Sequence, residues 1–265
     1  MQFAGSHILS IQQLERDDVE QVFRVADQME PYARRRRITK VLDGAILGSM
    51  FFEPSTRTRV SFGSAFNLLG GEVRETTGFE NSAIAKGESL YDTARVLSGY
   101  SDVIAMRHPE AGSVAEFAAA SRVPVINGGD GSNEHPSQAL LDLYTIRSEM
   151  AAHQRDITGL RIAMVGDLRH GRTVHSLCRL LALFDNLQVV LVSPGELRMP
   201  EGIVEVMRRA GHQVVESDVL EESIAHVDIV YSTRIQEERF SSQAEADLYR
   251  GRFRLNQSIY TRHCE

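Results

Sequence analysis

The chain has 265 residues, 42% hydrophobic and 25% charged, with a net charge of −7; this is a globular composition with room for one large core or two modest ones, and it excludes a disordered chain and a general nucleic-acid binder. The apolar runs at 162–165 and 189–192 fall far short of the ~20 residues of a membrane span, and residues 1–10 lack the basic flank and apolar core of a secretory signal, so a cytoplasmic protein is expected. Two cysteines, Cys178 and Cys264, are too few to staple a fold of this size or to close a zinc site.

In chain order, apolar residues at helical spacing (Leu14, Val19, Val22, Phe23, Ala26, Met29) predict an amphipathic helix over 10–29. The arginine run 34–37 reads as a solvated loop or helix end. The apolar run 45–52 predicts a buried strand, and a helix opens at Ser55 and ends at Gly70-Gly71. Further strands are expected at 71–75, 102–106 and 123–127, with helices at 89–97, 114–120 and 136–151. After a polar stretch at 151–159, strands at 161–165, 188–192, 213–216 and 228–232 alternate with helices at 173–184 and 201–210. This predicts an α/β protein of two lobes, 1–150 and 151–265, each built on a largely parallel sheet flanked by helices. The active site is expected in the cleft between them, near strand carboxyl ends.

The sharpest chemical signal is Ser55-Thr56-Arg57-Thr58-Arg59, which follows a strand and opens a helix. Unpaired helix N–H groups, hydroxyls and a planar guanidinium suit an oxyanion, phosphate above all; an ordinary N-cap with surface arginines is the bland alternative. Arg107-His108-Pro109 follows the third strand, and His135-Pro136-Ser137-Gln138 follows the fourth. Together the three strand ends offer donors for a phosphate and for a carbonyl oxygen. Lys86 lies in a polar loop that also holds Ser82, and from the residues alone it reads first as a solvent lysine. Gly166–Thr173 approximates a P-loop, with Arg172 where that motif has lysine. Arg172 and Arg234, again at strand ends, suit a substrate with two carboxylates, with surface charge as the alternative for each. No metal-binding constellation is visible in the sequence.

Taken together, these segments resemble the catalytic chains of the aspartate carbamoyltransferase family. The matching motifs are F-F-E-P-S-T-R-T-R at 51–59, K-G-E-S-L-Y-D-T at 86–93, M-R-H-P at 106–109, G-D-G-S-N-E-H-P-S-Q at 129–138, G-D-L-R-H-G-R-T-V-H-S-L at 166–177 and T-R-I-Q-E-E-R-F at 233–240. The resemblance implies transfer of a carbamoyl group from carbamoyl phosphate to L-aspartate, in pyrimidine biosynthesis, with no cofactor or metal. It implies that Ser55, Thr56, Arg57, Thr58 and Arg107 hold the phosphate. Arg57, Thr58, Arg107 and His135 would face the carbonyl oxygen, with Gln138 at the carbamoyl amino group. Lys86, Arg172, Arg234 and Gln236 would bind aspartate. Ser82 and Lys86 would come from a neighbouring subunit of a homotrimer, with regulatory subunits as further partners and neither nucleic acid nor membrane involved. The lobes would then be a carbamoyl-phosphate-binding domain and an aspartate-binding domain. The family continues past residue 265 with an H-P-L-P-R segment, so the second domain is expected to be incomplete. The alternatives are a truncated relative that binds carbamoyl phosphate or only associates with other subunits, and an ornithine carbamoyltransferase-like activity.

Overall fold

The computed structural model describes residues 1–76, 86–237, 240, 242–249 and 251–263. Contacts divide it into two compact units, Met1–Gln138 and Ala139–Glu265. The division falls in the first turn of a helix opening at Pro136, whereas composition marks the polar stretch near 150.

The first unit runs α1 (Arg16–Ala33), β1 (Ile46–Phe51), α2 (Thr56–Leu68), β2 (Glu72–Thr76), α3 (Leu90–Leu97), β3 (Val103–His108), α4 (Ser113–Ala120), β4 (Val125–Asp130). Its strands form one parallel sheet in the order β2-β1-β3-β4. The chain steps from β1 to one side and returns to the other, so the loops leaving β1 and β3 diverge and open a crevice at their carboxyl ends. One face of the sheet is sealed by Met50, Ile104, Met106 and Val125 against Ala94 of α3 and Val114, Phe117 and Ala118 of α4.

Two details depart from expectation. The helix over 10–29 is interrupted: Ser10 and Gln13 cap a 3-10 turn at Ile11–Gln13 reciprocally, and Asp18 Oδ2 accepts from Glu15 N at 2.9 Å to start α1 afresh. Helix α2 forms where predicted, but of its residues only Gly63 is fully buried, and Val60 is 51% exposed. Arg34–Arg37 is exposed as expected.

The second unit continues α5 (Pro136–Ala152) into β5 (Arg161–Val165), α6 (Arg172–Leu181), β6 (Gln188–Val192), α7 (Glu201–Arg209), β7 (Gln213–Ser217), α8 (Leu220–Ile224), β8 (Ile229–Ser232), α9 (Gln243–Asp247) and α10 (Gln257–His263). Its strands are again all parallel, in the order β7-β6-β5-β8. The crossover from β7 back to the far side of β5 places a second switch point between β5 and β8. α6 is buried nearly all round, as a core helix must be. A clamp starts β8: Arg155 Nη1 and Nη2 donate to the Asp228 carboxylate at 2.6 and 3.0 Å, and Arg161 N adds a bond of 2.8 Å. Burial works against the Asp228 charge, but these donors overcome it and hold the carboxyl well below the usual range. Among the described residues no helix is long and apolar enough to cross a membrane.

Candidate active site

The β1–β3 crevice collects the first group of residues. Ser55 is the extended N-cap residue of α2, and its side chain makes no capping bond. The first-turn N–H groups of Thr56, Arg57 and Thr58 lack intrahelical partners by the geometry of any helix start. No acidic residue sits in that turn to compete for them. Arg57 is exposed and Thr58 half-buried. Phe52 N donates to Arg107 O at 2.9 Å, joining the ends of β1 and β3. Arg107 Nε donates to Glu53 Oε1 at 2.7 Å, with the two side chains 15% and 20% exposed. A long contact of 3.4 Å takes Arg107 Nη1 to Gly128 O. A Cβ on Gly128 would lie 3.6 Å from the Thr58 methyl. Thr58, Arg107 and the end of β4 are therefore neighbours.

The loop after β4 is organised by Asp130, which is 2% exposed. Its carboxylate accepts from Asn127 Nδ2, Glu134 N, Gly112 N and Asn133 Nδ2 at 2.9–3.1 Å. Ser10 Oγ adds a bond of 2.9 Å to Glu134 Oε1. This framework delivers His135, 4% exposed, to the start of α5. Gln138 N donates to His135 Nδ1 at 3.3 Å. That bond assigns the neutral ring's proton to Nε2, which makes Nε2 a donor. His108, beside these residues in sequence, is of another kind. Its ring packs 4.9 Å from Phe52, Glu110 N donates to its Nδ1 at 3.1 Å, and burial lowers its pKa against the pull of Glu110 and Glu53. It is a neutral structural histidine.

The β5–β8 switch point collects the second group. Gly166 has φ +122, and a Cβ there would stand 2.2 Å from Thr233 O, so only glycine lets the two loops touch. Fully buried Asp167 ties them: its carboxylate accepts from His170 N at 3.0 Å and from Gln236 N at 3.2 Å. The His170 ring lies 3.1 Å from the same carboxylate, and Gln236 Nε2 donates to His170 O at 2.8 Å. His175 Nε2 donates to Leu168 O at 2.7 Å and holds the loop from below. Arg172 starts α6 and is 9% exposed. Arg234 is exposed, with Nη1 3.2 Å from Ile235 O. Lys86 is exposed; Ser82 lies outside the described residues. Two groups escaped the sequence reading, Glu53 and Asp167. Both are acids that precede the first arginine of a cationic motif, and that placement was the one signal the sequence carried.

Two family models match the chain: the aspartate/ornithine carbamoyltransferase carbamoyl-P binding domain over residues 6–148, and the Asp/Orn binding domain over residues 158–263. An aspartate carbamoyltransferase catalytic subunit from Saccharophagus degradans is 76% identical over 265 residues, all of this chain and 79% of the relative. One from Cellvibrio japonicus is 73% identical, over all of this chain and 78% of its own. Among solved structures, the catalytic subunit of M. jannaschii aspartate transcarbamoylase superposes with a TM-score of 0.87 at 43% identity, covering 97% of this chain and 83% of that one. Aspartate transcarbamoylase from Trypanosoma cruzi in complex with carbamoyl phosphate and aspartate gives 0.88 at 36% identity, covering 97% and 82%. The chain belongs to the aspartate/ornithine carbamoyltransferase family, and it matches that family's aspartate carbamoyltransferase catalytic subunits over its whole length.

Proposed function

We propose that the chain transfers the carbamoyl group of carbamoyl phosphate to the amino group of L-aspartate, giving N-carbamoyl-L-aspartate and phosphate, a step of pyrimidine biosynthesis. The observation that carries the reading is the meeting of an uncapped helix start, Thr58 and Arg107 at one crevice. That is an anion site on the unit whose family model is named for carbamoyl phosphate. The solved T. cruzi relative that holds carbamoyl phosphate and aspartate together supports the same pair of substrates.

In this reading the α2 N–H groups, Ser55, Thr56, Arg57, Thr58 and Arg107 bind the phosphate. Arg57, Thr58, Arg107 and His135 Nε2–H donate to the carbonyl oxygen, and Gln138 accepts from the carbamoyl amino group. The unprotonated aspartate amine attacks the carbonyl carbon. The C=O electron pair moves to oxygen, where the donors stabilise it. On collapse the oxyanion pair re-forms C=O, the C–O bond to phosphate breaks with its own pair leaving on the phosphate oxygen, and the proton lost by the amine passes to that departing phosphate. No side-chain nucleophile is required. Orientation supplies several kcal/mol, and each fixed oxyanion donor about 2.7–4 kcal/mol. Arg172, Arg234 and Gln236 bind the two aspartate carboxylates. Lys86 and Ser82 complete the site from a neighbouring subunit of a cytoplasmic homotrimer, in which cyclic symmetry lets each copy lend the same loop.

Calorimetry on the wild type and Arg57→Ala tests the phosphate site. Carbamoyl phosphate is expected to bind the wild type and to lose at least about tenfold in affinity without this bidentate donor. Equal affinities would remove Arg57 from the site.

A further inference from the structure

Three elements of the second unit meet at one phenol that lies outside the motifs. Tyr231 is in β8. Its neighbour Val230 packs on the apolar cluster of Ala163, Val165 and Val192, so strand alternation turns Tyr231 to the opposite face. There its hydroxyl donates to Asp142 Oδ2 on α5 at 2.8 Å, and the Thr173 side chain bonds to the same phenol from the first turn of α6. Burial and then the Asp142 charge push the Tyr231 pKa well above its ordinary value, so the hydroxyl stays a donor at physiological pH.

The position of this node gives it consequence. Thr173 directly follows Arg172, and Arg234 comes three residues after Tyr231. Both guanidiniums assigned to aspartate therefore leave from points tied to one hydroxyl. Phenylalanine would fill the same space and need no partner. A partly buried hydroxyl is unfavourable unless its bonds are made, and here they join chain segments rather than fill a core.

We propose that Tyr231 is a positioning residue for the amine substrate: bonded to Asp142 and Thr173, it sets the end of β8 and the start of α6, and so the aim of Arg234 and Arg172 at a dicarboxylate. The inference rests on the reading of those arginines given above.

The test uses Tyr231→Phe, Asp142→Ala and Asp142→Asn, with aspartate kinetics and calorimetric binding of succinate, a dicarboxylate without the amine, to protein saturated with carbamoyl phosphate. Tyr231→Phe and Asp142→Ala are expected to raise the aspartate KM and the succinate Kd about tenfold, the worth of one such hydrogen bond. Carbamoyl phosphate affinity should stay within about twofold, and Asp142→Asn, whose amide oxygen still accepts, should retain most of the wild-type behaviour. A fall in melting temperature with unchanged KM and Kd in both disruptive variants would show a merely structural role and overturn the inference. Wild type that neither turns over aspartate nor binds succinate would overturn the reading of the site itself, and the inference with it.

Discussion

Replacing Asp167 by alanine is expected to disable the amine side of the reaction while sparing the phosphate side. The carboxylate is fully buried and accepts from two backbone N–H groups, those of His170 and Gln236, at 3.0 and 3.2 Å. Each buried N–H left without an acceptor costs about 1–3 kcal/mol, so the pair amounts to ~2–6 kcal/mol. The loops will move to recover part of it. Those loops carry Gln236 and lead into Arg172, and a displacement of about 1 Å in a positioning group is enough for a ~100-fold loss. Steady-state kinetics at saturating carbamoyl phosphate should show kcat/KM for aspartate down by at least about 100-fold in Asp167→Ala. Asp167→Asn keeps one accepting oxygen and should lose about tenfold. Carbamoyl phosphate affinity by calorimetry should change less than about twofold, since its donors lie on other elements. Assays well below the melting temperature separate this from unfolding. Unchanged aspartate kinetics in Asp167→Ala would refute the reasoning, and so would an equal loss of carbamoyl phosphate binding.

Other expectations follow from buried titratable groups. Cys178 is fully buried and burial pushes its thiol up to about 12, so iodoacetamide at pH 8 should leave it unmodified in the native protein and label it in urea, read by peptide mass spectrometry; native labelling would contradict its burial. His212 accepts from Leu187 N at Nδ1 and donates to Leu181 O, and burial lowers its pKa. Its folded-state pKa lies below the unfolded one, so its stability contribution is present above pH ~6.5 and falls as pH drops, by at most about 1.4 kcal/mol at pH 5.5. The urea midpoint should track that loss, and less so in His212→Phe. Asp228 is the carboxylate case: its folded pKa is depressed, so its contribution is complete above about pH 4 and disappears as pH falls further. Asp228→Asn should lose about 1–3 kcal/mol at pH 7 and progressively less as pH falls from about 4 toward 2, and a loss that stays constant over that range would contradict the clamp.

The architecture was legible because the apolar runs at 45–52, 123–127 and 160–165 are short and bounded by glycine or proline, as buried strands are. What the sequence hid was decided by distant partners. β3 runs on through His108 and β4 through Asp130 because Arg107 pairs with Phe51 and Asp130 with His108; polar residues at those ends read as loop. Helix α8 spans Leu220–Ile224, five residues, too few for a periodic pattern to register. Leu14 and Val19 share a helical face in the sequence, but a local capping bond from Asp18 sets the helix start between them. In the site, the cationic motifs stood out by composition. Their acidic counterparts did not, since Glu53 finds Arg107 across 54 residues and Asp167 finds Gln236 across 69. Such pairings exist only once the two switch points have formed.

The central claim is the reaction itself. The most direct measurement is mass-spectrometric product analysis of the purified chain incubated with carbamoyl phosphate and an equimolar mixture of L-aspartate and L-ornithine. The account predicts N-carbamoyl-L-aspartate and an equal amount of phosphate, abolished by Arg57→Ala, with little or no citrulline. Citrulline as the main product, or no carbamoylated amino acid from wild-type protein that is folded, would contradict it.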